Sequence, residues 1–365
     1  MTKFKKNIVR PNIFDYNIAI FGQQGVGKTT LAYQVCHKLL GDDYVIFNCG
    51  REDGIKALPD AIYYDCPTWD EFDEIITEVI DERTTEYKDL KVVVLDTIDE
   101  IFNMAENEVL RLAKKENPTV NTMNKAFGGF GAGLKKAEEL VLDALWRLKS
   151  VGINVFVIGH TKNKTMVDVV NDGEYDILTS NLSNRYFSEI ATKMDVIGIC
   201  YVDRNIITEK TNRKDIKGKV IERNVVANEA RKICFRSDDY VTASKSRFPD
   251  IEGVIDLNAD DFISTIENSI QKLIDKSTMS KDDIKEHYEK ENAEKLKRIA
   301  EAEETARIKK ELDETKAKIV AFFVENKTNM DAIKPALALC KKYEYSNPNE
   351  IDKLEVAKEV LALCR

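Results

Sequence analysis

The chain predicts an α/β fold with a mostly parallel central sheet, on three observations. Between Asn17 and about Phe262, short β-rich apolar runs alternate with helix-length amphipathic segments, the pattern of strands joined by crossover helices. The early runs are nearly continuous in Val and Ile, as strands buried on both faces require. The first run enters the first helical segment through a glycine-rich turn, "GQQGVGKTT".

In chain order the strands are "NIAIFG", "DYVIFNC", "KVVVLD", "INVFVIGH", "DVIGICYV" and "ARKICFRS". Amphipathic spacing predicts helices over Lys28–Leu40, Trp69–Glu82, Ile98–Lys115 and Leu134–Ser150. The charged stretches Ile216–Val226 and Arg231–Phe235 read as an antiparallel region at the far edge of the sheet. Residues 1–16 form an N-terminal segment and 17–265 the core. Residues 266–318 then read as a charged helical spacer, and 319–365 as a small helical region with two short helices around "SNPNE". Ser280 and Asp283 make a capping box at the start of the charged helix, whose apolar positions are too sparse for a coiled coil.

At 365 residues the chain has room for one large domain plus an appendage. It contains no run of eighteen apolar residues, and no apolar stretch follows the basic start "MTKFKK". The expected location is therefore the cytoplasm. Seven scattered cysteines without a C-x-x-C pair read as reduced structural thiols. A net charge of −9 argues against a surface coated throughout by nucleic acid, while leaving room for a local basic groove.

The strongest chemical signal is Gly22, Gln23, Gln24, Gly25, Val26, Gly27, Lys28, Thr29 and Thr30, which fits G-x-x-x-x-G-K-[ST] between a strand and a helix. Glycines let successive N–H groups turn inward toward phosphate oxygens, and the helix N-terminus adds partial positive charge. Lys28 then bridges the outer phosphates, and the Thr29 hydroxyl is placed for Mg²⁺. The apolar strand ending in Asp96 supplies the second metal-holding residue. His160, at the tip of another strand, falls in the crevice where ligands of open α/β sheets bind, and reads as a γ-phosphate sensor or as a satisfied structural histidine.

Two segments have the composition of a polymer contact. "NKAFGGFGAGLKK" sets Phe127 and Phe130 among glycines beside Lys125, Lys135 and Lys136, combining aromatic and cationic groups as single-strand sites do. The region from Asn163 to Lys193 offers Lys164 and Arg185. Both also read as ordinary loops or surface insertions.

Taken together, the phosphate loop, Asp96 followed by Thr97, the strand-end His160 and the "SKSRF" turn resemble the phage-encoded, core-only RecA-like ATPases, in particular the Sak-four recombination mediators. The resemblance covers roughly residues 14–260. Because Thr97 stands where AAA+ proteins carry Glu, the water-activating carboxylate has to come from elsewhere. The resemblance assigns it to Glu52, with Asp53 as the alternative. It also implies that Lys245 and Arg247 reach a neighbouring subunit's nucleotide. It further implies ATP and Mg²⁺ as cofactors, single-stranded DNA binding in homologous recombination or annealing, head-to-tail rings or filaments, and the cytoplasm of a bacterial host. The extension from Lys276 to Arg365 is not part of that pattern. It offers a surface for a single-strand-binding or replication protein, and motivates an alternative in which nucleotide controls a scaffold ATPase without DNA.

Overall fold

The computed structural model describes residues 7–50, 54–168, 173–214, 220–237, 241–327 and 329–364. Two compact units are distinguished: Met1–Ile80 with Asp89–Asn292, and Asp81–Lys88 with Ala293–Arg365.

The first unit is an α/β layer structure. Its strands are β1 (Ile18–Gly22), β2 (Tyr44–Cys49), β3 (Tyr63–Cys66), β4 (Val92–Asp96), β5 (Asn154–Asp168), β6 (Gly173–Ser180), β7 (Val196–Lys214), β8 (Val220–Cys234), β9 (Lys245–Ser246) and β10 (Val254–Asp256). The helices are α1 (Lys28–Leu40), α2 (Trp69–Asp81), α3 (Ile98–Glu116), α4 (Ala132–Ser150), α5 (Asn184–Lys193) and α6 (Ala259–Asp275), followed by the start of α7 (Lys281–Glu325). The sheet runs β10-β8-β7-β1-β5-β4-β2-β3. From β7 to β3 neighbouring strands are parallel, and β8 and β10 continue the sheet antiparallel. β5 thus lies between the phosphate-loop strand β1 and β4, the strand that ends in Asp96.

Burial explains the order. Every residue of β1 and β4 is buried, so these strands take central places where helices cover both faces. The core does not stop at residue 265. Phe262 stacks with Phe156 at 6.1 Å and lies 5.9 Å from Phe235. Ile266, Ile270 and, on α7, Ile284 extend the same cluster. Burying one such large side chain contributes about 2–3 kcal/mol, so α6 is a covering layer of the core and the expected spacer boundary moves beyond it.

β5 and β7 are longer than the sheet needs. β1 ends at Gly22, opposite His160 of β5 and Cys200 of β7. Past that level β5 pairs only with β6, from Thr161↔Ser180 to Asp168↔Gly173. β7 likewise continues with β8 as far as Lys214↔Val220. At about 3.3 Å per residue, two antiparallel ribbons extend from the edge of the sheet that carries the phosphate loop. Asn163–Lys193, expected as a loop, therefore holds most of the β5–β6 ribbon, followed by α5.

The second unit contains the remainder of α7, α8 (Met330–Lys342) and α9 (Leu354–Ala362). Leu312 and Ile319 pack with Ala336, Cys340, Ile351, Ala357 and Val360, giving it a small core of its own. Among the described residues no helix is long and apolar enough to cross a membrane.

Candidate nucleotide site

The loop between β1 and α1 has the curvature its glycines predict. Gly25 and Gly27 stand at φ +74° and +108°, the left-handed region that glycine enters without steric cost. At Gly22 the demand is space: a Cβ there would fall 2.7 Å from the carbonyl oxygen of Cys200 on β7. Gly27 caps α1 with no side-chain hydrogen bond, so the first-turn N–H groups, including those of Thr29 and Thr30, have no partner in the cap and face outward as an anion site. Gln24 at the loop's crest is exposed, while Val26 is buried and anchors the loop.

Two side chains complete the loop. Lys28, buried, donates from Nζ to the carbonyls of Gly22 at 3.0 Å and Gln23 at 3.1 Å, which holds its charge inside the curve where phosphate would replace the carbonyls. The Thr29 hydroxyl donates to Asp96 Oδ2 at 2.8 Å, and Asp96 is itself buried. A hydroxyl and a carboxylate side by side are hard oxygen ligands suited to Mg²⁺, which prefers few protein ligands together with phosphate and water. The residues present thus fit a Mg²⁺-nucleotide. When bound, that group supplies the phosphoryl chemistry and neutralises charge on the phosphates. The chain's own part would be to hold the phosphates with Lys28 and the loop amides, and the cation with Thr29 and Asp96. The neighbouring Cys200 thiol is pushed up to about 12 by burial, against a smaller opposing effect of the Lys28 charge, so it remains a neutral packing group.

His160 lies level with Gly22 across the β1–β5 pair. Its N–H donates to Asp99 Oδ2 at 2.8 Å, and its ring Nδ1 is 3.5 Å from the same oxygen. Asp99 Oδ1 accepts from Asn181 at 3.4 Å, and the Asn181 N–H donates to the carbonyl of His160 at 2.8 Å. One buried carboxylate therefore ties the middle of β5, at the level of the phosphate loop, to the residue that follows β6 and to the first turn of α3. Sequence reasoning missed Asp99. Its signal was its position three residues after Asp96, on the first turn of the helix that Thr97 caps.

The catalytic-carboxylate candidates Glu52 and Asp53 lie outside the described residues. The flanking glycines do lie in the described region. A Cβ on Gly50 would fall 2.5 Å from Glu100 Oε2, and one on Gly54 would lie 3.9 Å from the Thr29 hydroxyl.

Lys245 and Arg247 are not brought to this chain's own loop. Lys245 donates to the carbonyls of Ala191 and Met194 at 2.6 and 2.9 Å. Arg247 reaches the Thr192 carbonyl at 3.3 Å and pairs with Asp195 at 3.2 Å. Both serve the C-terminus of α5, where the last carbonyls lack helical partners and favour cations. Ser246 pairs with Val196, which pairs with Ile18, so this turn sits at the start of the strands, opposite the phosphate-loop end. Burial, reinforced by Arg247, lowers the Lys245 pKa.

The polymer candidates converge in part. Phe127 and Phe130 each have φ +53°, a conformation that costs of order 1–3 kcal/mol for a non-glycine residue. Phe130 is fully exposed. Lys136 Nζ sits 4.6 Å from the centre of the Phe127 ring, and Lys125 is exposed on the same turn. Arg185 pairs with Glu138 of α4 at 2.6 Å and approaches Gly131. Tyr186 fixes α5 on α3 by stacking on Phe102 at 4.1 Å and donating to Glu106 at 2.8 Å. Lys164 is exposed on the β5–β6 ribbon, apart from the Phe–Gly loop in sequence but on the strand that leaves His160.

A glycine-bent loop with a buried lysine, joined to an aspartate two strands away, defines a P-loop nucleotide-binding core. The profile of a family described as an AAA domain matches residues 15–232, and the chain belongs to that family of P-loop ATPases. Among curated proteins none matches the chain. The solved structures similar to it include the crystal structure of a KaiC-like protein from the hyperthermophilic archaeon Pyrococcus horikoshii OT3. That likeness has 13% identity, covers 66% of this chain and 88% of that one, and has a TM-score of 0.31.

Proposed function

We propose that the protein hydrolyses ATP with Mg²⁺ and uses the nucleotide state to control binding of single-stranded DNA in recombination or annealing. The observation that supports the DNA reading is Phe130. A large aromatic ring is fully exposed on a strained glycine-rich turn, beside a second ring already covered by a lysine. An exposed ring of this kind has no stabilising role in the free protein. Stacking on a base is sequence-tolerant and contributes about 1–3 kcal/mol per base.

The connection to nucleotide runs through β5. His160 stands level with the phosphate loop, and the same strand continues into the β5–β6 ribbon bearing Lys164. Asp99 ties His160 to α3, whose Phe102 and Glu106 hold α5 and hence Arg185 beside the Phe–Gly turn. In this reading Glu52, or Asp53, supplies the water-orienting carboxylate, and subunits assemble head to tail as a ring or filament.

Fluorescence anisotropy of a labelled oligo(dT) tests the proposal. Binding should weaken as salt rises, because phosphate contacts release counterions, and should weaken further in Phe130→Ala. Absence of salt-sensitive binding at any nucleotide state would favour the scaffold alternative, motivated by the Glu/Lys-rich α7 and the separate helical core around Ile319 and Cys340.

A further inference from the structure

Arg231 lies beside the phosphate loop on the flank opposite Asp96. It belongs to β8, and its Nη1 is 3.4 Å from the carbonyl of Val26 and 3.6 Å from where a Cβ of Gly27 would stand. Its strand neighbour Lys232 pairs with Asp256, and Arg204 across the ribbon is 3.5 Å from Glu229. Among the described residues no carboxylate comes within ion-pair distance of Arg231. Its backbone carbonyl accepts the N–H of Leu257 at 2.9 Å, and Leu257 Cδ2 lies 3.4 Å from the same Gly27 position. A cation and an apolar side chain thus lie together over the N-terminus of α1.

The sheet order says which end of a nucleotide they would meet. Asp96 ends β4, two strands to one side of β1, while β8 lies two strands to the other. The Thr29–Asp96 pair marks the metal and terminal-phosphate end. A polyphosphate held along the loop therefore directs its nucleoside toward β8. We infer that Arg231 and Leu257 form the nucleoside-side wall of the site, with Arg231 turning from the Val26 carbonyl to the α-phosphate and Leu257 covering the sugar and base. The inference rests on the nucleotide reading above and adds to it a contact made within one subunit, from a strand outside the family's loop motif. Its ligand class is nucleoside di- and triphosphates alike, since the α-phosphate is common to both.

Isothermal titration calorimetry of the full chain with ADP and with ATP tests this. Arg231→Gln should weaken both nucleotides by about tenfold, the size of one charge-assisted hydrogen bond, and leave the ATP-to-ADP affinity ratio unchanged. Arg231→Lys should recover part of the loss. Leu257→Ala should weaken both nucleotides while leaving pyrophosphate binding as in wild type. Unchanged affinity in Arg231→Gln, or a loss confined to ATP, would overturn the inference while leaving the nucleotide reading standing. A thermal unfolding midpoint that falls without ligand, with no recovery of affinity by Arg231→Lys, would also overturn it by showing a folding role. Wild-type protein that binds none of the ligands would overturn the nucleotide reading and this inference together.

Discussion

Thr29 Oγ1 donates to Asp96 Oδ2 at 2.8 Å across 67 residues of sequence. The two meet because β5 alone separates β1 from β4, so the ends of both strands open onto one crevice. Asp96→Asn should keep the fold, since the amide oxygen still accepts from Thr29. It should also reduce the contribution of Mg²⁺ to ATP affinity by tenfold or more, read by calorimetry with and without the metal.

Lys28→Ala should abolish nucleotide binding. Its ammonium is stabilised in the free protein by the Gly22 and Gln23 carbonyls, so the variant should also lose about 1–2 kcal/mol of stability, read by denaturant melts. Binding retained within threefold of wild type would argue against the loop as the phosphate site.

Asp99→Asn should leave ATP affinity nearly intact and lower turnover about tenfold or more. The carboxylate holds the His160 N–H and faces its ring, and an amide in its place offers a weaker, neutral acceptor. His160→Ala should produce the same pattern, and the double variant should be no worse than either alone. Additive losses in steady-state kinetics would separate the two residues.

Lys245→Ala should destabilise the fold by about 1–2 kcal/mol, the size of hydrogen bonds from a charged donor. The carbonyls of Ala191 and Met194 would then lose their common partner. Denaturant melts measure this. A purely catalytic finger, reaching a neighbouring subunit's nucleotide, would leave the melts unchanged and lower turnover only in assembled protein.

Much of the core was legible because its signals are local. The phosphate-loop spacing, the continuous Val and Ile of β4, and the range of α1 follow from adjacent residues alone. β3 was not legible because its four residues expose Tyr63 and Tyr64 at the edge and bury only Cys66. The β5–β6 ribbon beyond His160 is held by backbone pairing between largely polar segments, which leave no apolar period to read, whereas the described part of the antiparallel region expected over Ile216–Val226 and Arg231–Phe235 falls on β8, paired with β7. α5 buries only Tyr186 and Ile190. Asp99 and Arg231 owe their places to strand order, which single-chain spacing does not encode. For Lys245 and Arg247 the sequence shows the charges but not the helix terminus that accepts them.

The most direct test of the account is ATP turnover by the full chain with Mg²⁺, measured with and without oligo(dT). The account predicts turnover that rises when single strands are added and a rise that is lost in Phe130→Ala, with basal turnover preserved. Turnover unchanged by single strands, together with no salt-sensitive binding of them, would contradict it.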